Sequence, residues 1–208
     1  MHKSMASDLA FCFHNRKPRL MDEESFTRSA VLLPLLKAKT GEWQVLFEVR
    51  SHELRSQPGE ICFPGGRVDP GEEQEKTALR ETAEELGLPP EAVNIWGELD
   101  FIISPLNHIL YSFVGEIQSA AILAPNPAEV AEIFTVPLST LLTLEPEIHY
   151  VPIKAVPAED FPFHKIPGGR NYTWRKASMP EVFYEVDGRI IWGLTARILK
   201  HFLEIISG

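Results

Sequence analysis

The sequence predicts an α/β sandwich built on a mixed β-sheet, and three observations lead there. Short apolar runs with strand character lie on both sides of one central helical stretch. That stretch ends on a strong stop, Gly87 followed by Pro89 and Pro90. The chain closes on a segment whose apolar residues recur at helical spacing. Strands before and after a helix, then a closing helix, require a sheet covered by helices.

Taken in order, residues 1–26 read as an N-terminal arm, and residues 27–208 as a single domain. Ala30–Leu36 and Val45–Val49 are apolar runs, and Thr40-Gly41 between them is a turn signal, so the pair reads as a hairpin. Ile61–Phe63 is a short apolar run, broken by Pro64-Gly65-Gly66. Glu72–Leu86 turns helical. Val93–Ile103 and Ile109–Ile117 read as strands, Pro125-Asn126-Pro127 as a loop, Ile133–Val136 as a strand and Leu138–Leu144 as a short helix. Residues 145–181 have no period and hold His149, His164, Lys165, Arg170, Tyr172, Trp174, Arg175 and Lys176. A lid over a site and a plain surface excursion both fit that composition. Val182–Val186 is a strand, Asp187-Gly188 a turn, and Trp192–Ile206 the closing helix.

Twenty basic against 29 acidic residues leave a formal charge of −9 on 208 residues. A nucleic-acid backbone wants a basic surface, so it is not the expected partner. A small phosphorylated ligand remains compatible, because bound cations supply positive charge locally. Cys12 and Cys62 are the only cysteines and are expected to be two free thiols. The apolar stretch Leu9–Phe13 is too short for a secretory core, and no run approaches a membrane span. The expected compartment is cytoplasmic, with a homodimer as the candidate assembly.

The most informative stretch is Gly66–Leu88. On a wheel of about 100° per residue, Glu84 and Glu85 fall roughly 60° and 40° to either side of Glu81. Leu79, Thr82, Ala83 and Leu86 take the opposite side. Like charges at i and i+4 oppose a helix by a few tenths of a kcal/mol, roughly; a divalent cation reverses that sign. The residues by themselves leave open a solvated acidic face and a metal-binding face.

The frame around them is more specific. Gly66, five residues, Glu72, seven residues, Arg80-Glu81-Thr82, one residue, Glu84-Glu85, one residue, Gly87-Leu88 resembles the Nudix box. Thr82 stands where an aliphatic residue is usual. The resemblance implies the Nudix α/β/α sandwich with the box as a loop–helix–loop. It implies a hydrolase of nucleoside diphosphate derivatives, with Glu81, Glu84, Glu85 and the Gly65 carbonyl as ligands of magnesium or manganese. It also implies that Arg80 and Glu72 pair to brace the loop. Glu81 and a distal-loop glutamate, Glu129 or Glu132, are the alternatives for the general base.

A second pattern runs into the first. Arg50-Ser51, three residues, Arg55, three residues, Gly59, three residues, Phe63-Pro64-Gly65-Gly66 resembles the signature of coenzyme A pyrophosphatases. Its opening is normally Leu-Leu-Thr-x-Arg, and here reads Leu46-Phe47-Glu48-Val49-Arg50. The segment Ile190–Leu199 is similar to the closing helix of that subfamily. The resemblance implies coenzyme A or its acyl derivatives as substrate, with 3′,5′-ADP and 4′-phosphopantetheine as products. Arg50 and Arg55, with Gly65 and Gly66, are then the expected substrate contacts, because guanidinium forks match phosphate oxygens. ADP-ribose or a dinucleotide is the next substrate class, and a silent nucleotide-sensing domain the third reading.

Overall fold

The computed structural model describes residues 10–14, 16–118 and 123–208. Parts of the expected arm, residues 1–9 and 15, lie outside the described residues.

The centre of the molecule is β1 (Thr27–Lys37). It pairs antiparallel with β2 (Trp43–Arg50), forming the expected hairpin. On its other edge it runs parallel to β7 (His108–Ile117), from Thr27 opposite His108 to Leu36 opposite Ile117. Antiparallel partners complete the sheet: β3 (Ile61–Cys62) and β8 (Val130–Pro137) on β2, β4 (Gly65–Arg67) on β1, and β5 (Val93–Glu98) and β6 (Ile102–Ser104) on β7. The eight-stranded sheet is therefore mixed, as expected.

Strand alternation divides the core. Leu33, Leu35, Val45 and Phe47 point to one face, and Ala30, Leu32, Leu36 and Leu46 to the other. The second face is covered by helix α1 (Gln74–Leu86), through Ala78 and Leu86. A four-residue helix, α2 (Leu138–Leu141), follows β8. The first face is covered by the closing helix α3 (Gly193–Ser207), through Ala196, Leu199 and Phe202. Helices on both faces of a sheet make the α/β/α sandwich. Among the described residues no helix is long and apolar enough to cross a membrane.

Three expectations need correction. The run Val93–Ile103 is two strands, because β5 and β6 share the ten-residue β7 and the chain steps between them at Leu99–Phe101. The tract 145–181 is not wholly irregular: β9 (Glu147–Ile153) lies in it and β10 (Ala177–Val186) begins in it. Their pairing joins segments 24 or more residues apart, for which no local period exists; Ala177 opposes Ile153 and Phe183 opposes Glu147. Finally, Arg189–Trp192 forms a strand, β11, hairpinned onto β10 before α3 begins at Gly193.

Candidate functional site

Helix α1 is anchored at its end by a backbone rather than a side chain. Gly87 takes a left-handed φ of 64° and its N–H bonds the Ala83 carbonyl. The incoming loop satisfies two further carbonyls: Ala124 N–H donates to Leu86 O and Asn126 N–H to Glu85 O, each at 2.9 Å. This draws the segment before β8, and with it Glu129, against the acidic helix. Ser51 N–H ties that segment to the end of β2 by donating to the Glu129 carbonyl at 2.8 Å.

The helix's carboxylates do not share one environment. Glu84 is exposed, Glu81 is half-buried, and Glu85 is only 7% exposed. Glu85 Oε2 accepts the Gly65 N–H at 2.8 Å, locking helix to loop. Burial pushes the Glu85 and Glu81 carboxyls above the usual carboxylate range. Thr82 packs as expected, fully buried, its hydroxyl donating to the Ala78 carbonyl.

Arg80 forms the brace. Its Nε and one Nη donate to Glu72 at 3.0 and 3.1 Å, and its other Nη faces Glu81 at 2.9 Å and Glu84 at 3.5 Å. Hydrogen bonds from Arg80 first, and then from Thr77, hold the Glu72 carboxyl down at about 2. Gly66 completes the loop by leaving space: a Cβ there would sit 2.3 Å from the Glu81 carboxyl carbon.

A cavity of about 530 Å³ opens beside this loop. Gly65, Gly66 and Arg50 line it, as the spacing anticipates. Arg55 does not: it is exposed, on the irregular segment after β2, and lies outside the lining. Glu132 is likewise diverted, held bidentate by Arg189 at 2.7 and 3.1 Å. Glu129 keeps an exposed side chain, and its charge acts on Glu81, Glu85 and Glu48.

Other residues enter the cavity that sequence reading missed. Arg67 follows Gly66 directly and was legible there. His108 and Arg197 were not, since one lies beyond a hairpin turn and the other in the closing helix. His108 Nε2 is buried without a partner, and desolvation lowers its pKa. Met179, Trp192 and Leu194 supply an apolar wall. No residue of 145–178 lines the cavity; Phe161, Phe163, Tyr172 and Trp174 pack edge-on among themselves. Both cysteines carry free thiols, and burial pushes Cys62 up to about 12, far from thiolate chemistry.

The groups that the resemblance implies as ligands offer hard oxygen only, carboxylates and a backbone carbonyl, a chemistry that suits magnesium or manganese rather than zinc. Among the described residues no three acidic, histidine or cysteine side chains converge on one point. Glu85 is turned to Gly65 and Glu81 to Arg80, so the carboxylates are held apart. Magnesium binds through one or two carboxylates plus water and needs no closed cage. One observation suits a cation closely: Glu48, 1% exposed, has an Oε1 with no hydrogen-bond partner.

Comparison with known proteins agrees with this geometry. Residues 26–157 match the NUDIX domain. The chain is 39% identical over 137 residues to Nudix hydrolase 3 of Caenorhabditis elegans, covering 62% of this chain and 55% of that protein. It is 36% identical over 182 residues to a Nudix hydrolase, NudL, of Photorhabdus laumondii, covering 86% and 84%. It is 37% identical over 141 residues to the peroxisomal coenzyme A diphosphatase of Mus musculus, covering 67% and 58%. The match thus spans little more than half of the worm and mouse proteins. Among solved structures, a MutT/nudix family protein from Enterococcus faecalis superposes with a TM-score of 0.53 over 98% of this chain and 70% of its own, at 16% identity, a likeness of fold. With its box, its brace and its sandwich all in place, this chain belongs to the Nudix family.

Proposed function

We propose that this protein is a metal-dependent diphosphatase acting on coenzyme A or its acyl derivatives, releasing 3′,5′-ADP and (acyl-)4′-phosphopantetheine. The observation that carries this reading is the cavity's composition. It joins the glycine loop of the box to three guanidinium groups, Arg50, Arg67 and Arg197, at one site and to an apolar wall, Met179, Trp192 and Leu194. A substrate with a diphosphate, an extra phosphomonoester and a long thiol or acyl arm needs those two surfaces together. The similarity to the mouse coenzyme A diphosphatase supports the same reading.

Glu81, Glu84, Glu85 and the Gly65 carbonyl would hold the divalent ions. When bound, such ions neutralise the diphosphate and lower the pKa of water near the attacked phosphorus. The chain's residues supply the rest. Arg80 keeps Glu81 and the loop in register through Glu72. Arg50, Arg67 and Arg197 bind phosphate oxygens, and His108 offers a ring nitrogen for one further hydrogen bond. Glu129 is the proposed base: its side chain is exposed, whereas Glu81 is engaged by Arg80 and Glu132 by Arg189.

The test is turnover of coenzyme A, acyl-coenzyme A, ADP-ribose and dinucleotides with magnesium or manganese. Preferred release of 3′,5′-ADP is expected, abolished in Glu85→Gln and absent with chelator. Faster hydrolysis of ADP-ribose or a dinucleotide would overturn the substrate assignment and leave the chemistry. Nucleotide binding without turnover of any compound would favour the sensor.

A further inference from the structure

We infer that Glu48 is a further carboxylate of the metal centre, outside the box. This rests on the metal-dependent reading above, though not on the choice of substrate.

Strand alternation aims the side chain. Leu46, two residues earlier on β2, packs in the cluster beneath α1 with Ala78 and Leu86. Glu48 therefore projects to the same side, towards the acidic helix. It lies inside the sheet, opposite Cys62 on β3 and Ile133 on β8, so no strand edge gives it water. Only 1% of it is exposed and its Oε1 has no partner.

The charges acting on it all belong to the site: Glu85 and Glu129 repel it, and Arg50 attracts it. Arg50 directs one Nη away from it, donating to the Ser56 carbonyl at 3.4 Å. A lone carboxylate in such a position is among the costliest groups to bury. A second carboxylate beside it deepens the cost. A divalent cation shared between Glu48 and Glu85 turns the repulsion into ligation, and hard oxygen is the donor such ions prefer. The resembling coenzyme A signature carries threonine at this position, so the extra ligand is a property of this chain.

The measurement is manganese binding to the purified chain, by calorimetry and by the electron paramagnetic resonance signal of free ion. Melting curves in chelator and in saturating metal accompany it. Wild type is compared with Glu48→Gln, which keeps the shape, and Glu48→Leu, which removes every oxygen. Both variants are expected to bind manganese at least about tenfold more weakly, as loss of a supporting carboxylate does elsewhere. Both should melt no lower than wild type in chelator, with a smaller rise on adding metal. Unchanged manganese affinity in either variant would overturn the inference while leaving the proposed function standing. No manganese uptake by wild type would sink both. Loss of folding of both variants in chelator would also overturn it, since the inference makes this charge a burden on the metal-free fold.

Discussion

At the scale of single residues, the best-defined pair is Glu72 with Arg80. Its fork geometry is bidentate, and Thr77 adds a third donor at 2.8 Å. Because the Glu72 carboxyl is held at about 2 in the fold, against an ordinary 4.5, the pair stabilises the native state above pH 4.5. That contribution is lost as pH falls through the interval down to about 2. A Glu72→Gln variant should therefore show a shallower loss of urea midpoint across that acid range than wild type. Equal slopes in the two proteins would show that the pair contributes nothing in solution. The pattern Glu72, seven residues, Arg80 was legible in the sequence because both partners belong to one local loop–helix unit. The different fates of Glu81, Glu84 and Glu85 were not, since a helical wheel puts them on one face but cannot say which of them a distant loop covers.

At the scale of elements, α1 depends on how it ends. The left-handed Gly87 lets the chain turn, and the loop at Ala124 approaches so closely that a Cβ on Gly87 would lie 2.1 Å from the Ala124 carbonyl oxygen. Gly87→Ala is predicted to destabilise the fold by more than the ~1–2 kcal/mol that a left-handed alanine costs alone. The excess measures the displaced loop, and chemical denaturation reads it directly. A loss below that range would mean that the loop moves aside freely. Because the same loop carries Glu129, the variant should lose activity more than its stability accounts for. Helix and stop were both readable from spacing and from Gly87 with the prolines. β9 and β11 were not, because each is defined by its pairing with β10.

At the scale of the whole molecule, the cavity joins two parts of the chain. Its box side comes from the segment matching the NUDIX domain, and its opposite wall from β10, β11 and α3, beyond residue 157. Trp192 is the largest member of that wall, stacked on Phe183 with ring centroids 5.9 Å apart. Trp192→Ala should raise KM for an acyl-coenzyme A about fivefold, the ~1 kcal/mol of a lost aromatic contact. Manganese affinity should stay as in wild type, because the glutamates proposed to hold the metal belong to α1 and β2 and not to this wall. A matching fall in metal affinity would show that the two sides of the cavity are not independent.

The sequence by itself determined the box: the loop, the helix, its stop and the arginine–glutamate brace, all within one stretch whose spacing is local. It also determined the sandwich in outline, since strands before and after a helix, then a closing helix, require a sheet covered by helices. Only the tertiary structure decided which charges meet. It left Arg55 outside the cavity, diverted Glu132 to Arg189, brought Arg197 and Trp192 in from the closing segment, and enclosed Glu48 beneath α1. Those outcomes depend on which strands lie side by side and which helix covers each face. A one-dimensional pattern carries the period of an element but not the identity of its neighbours.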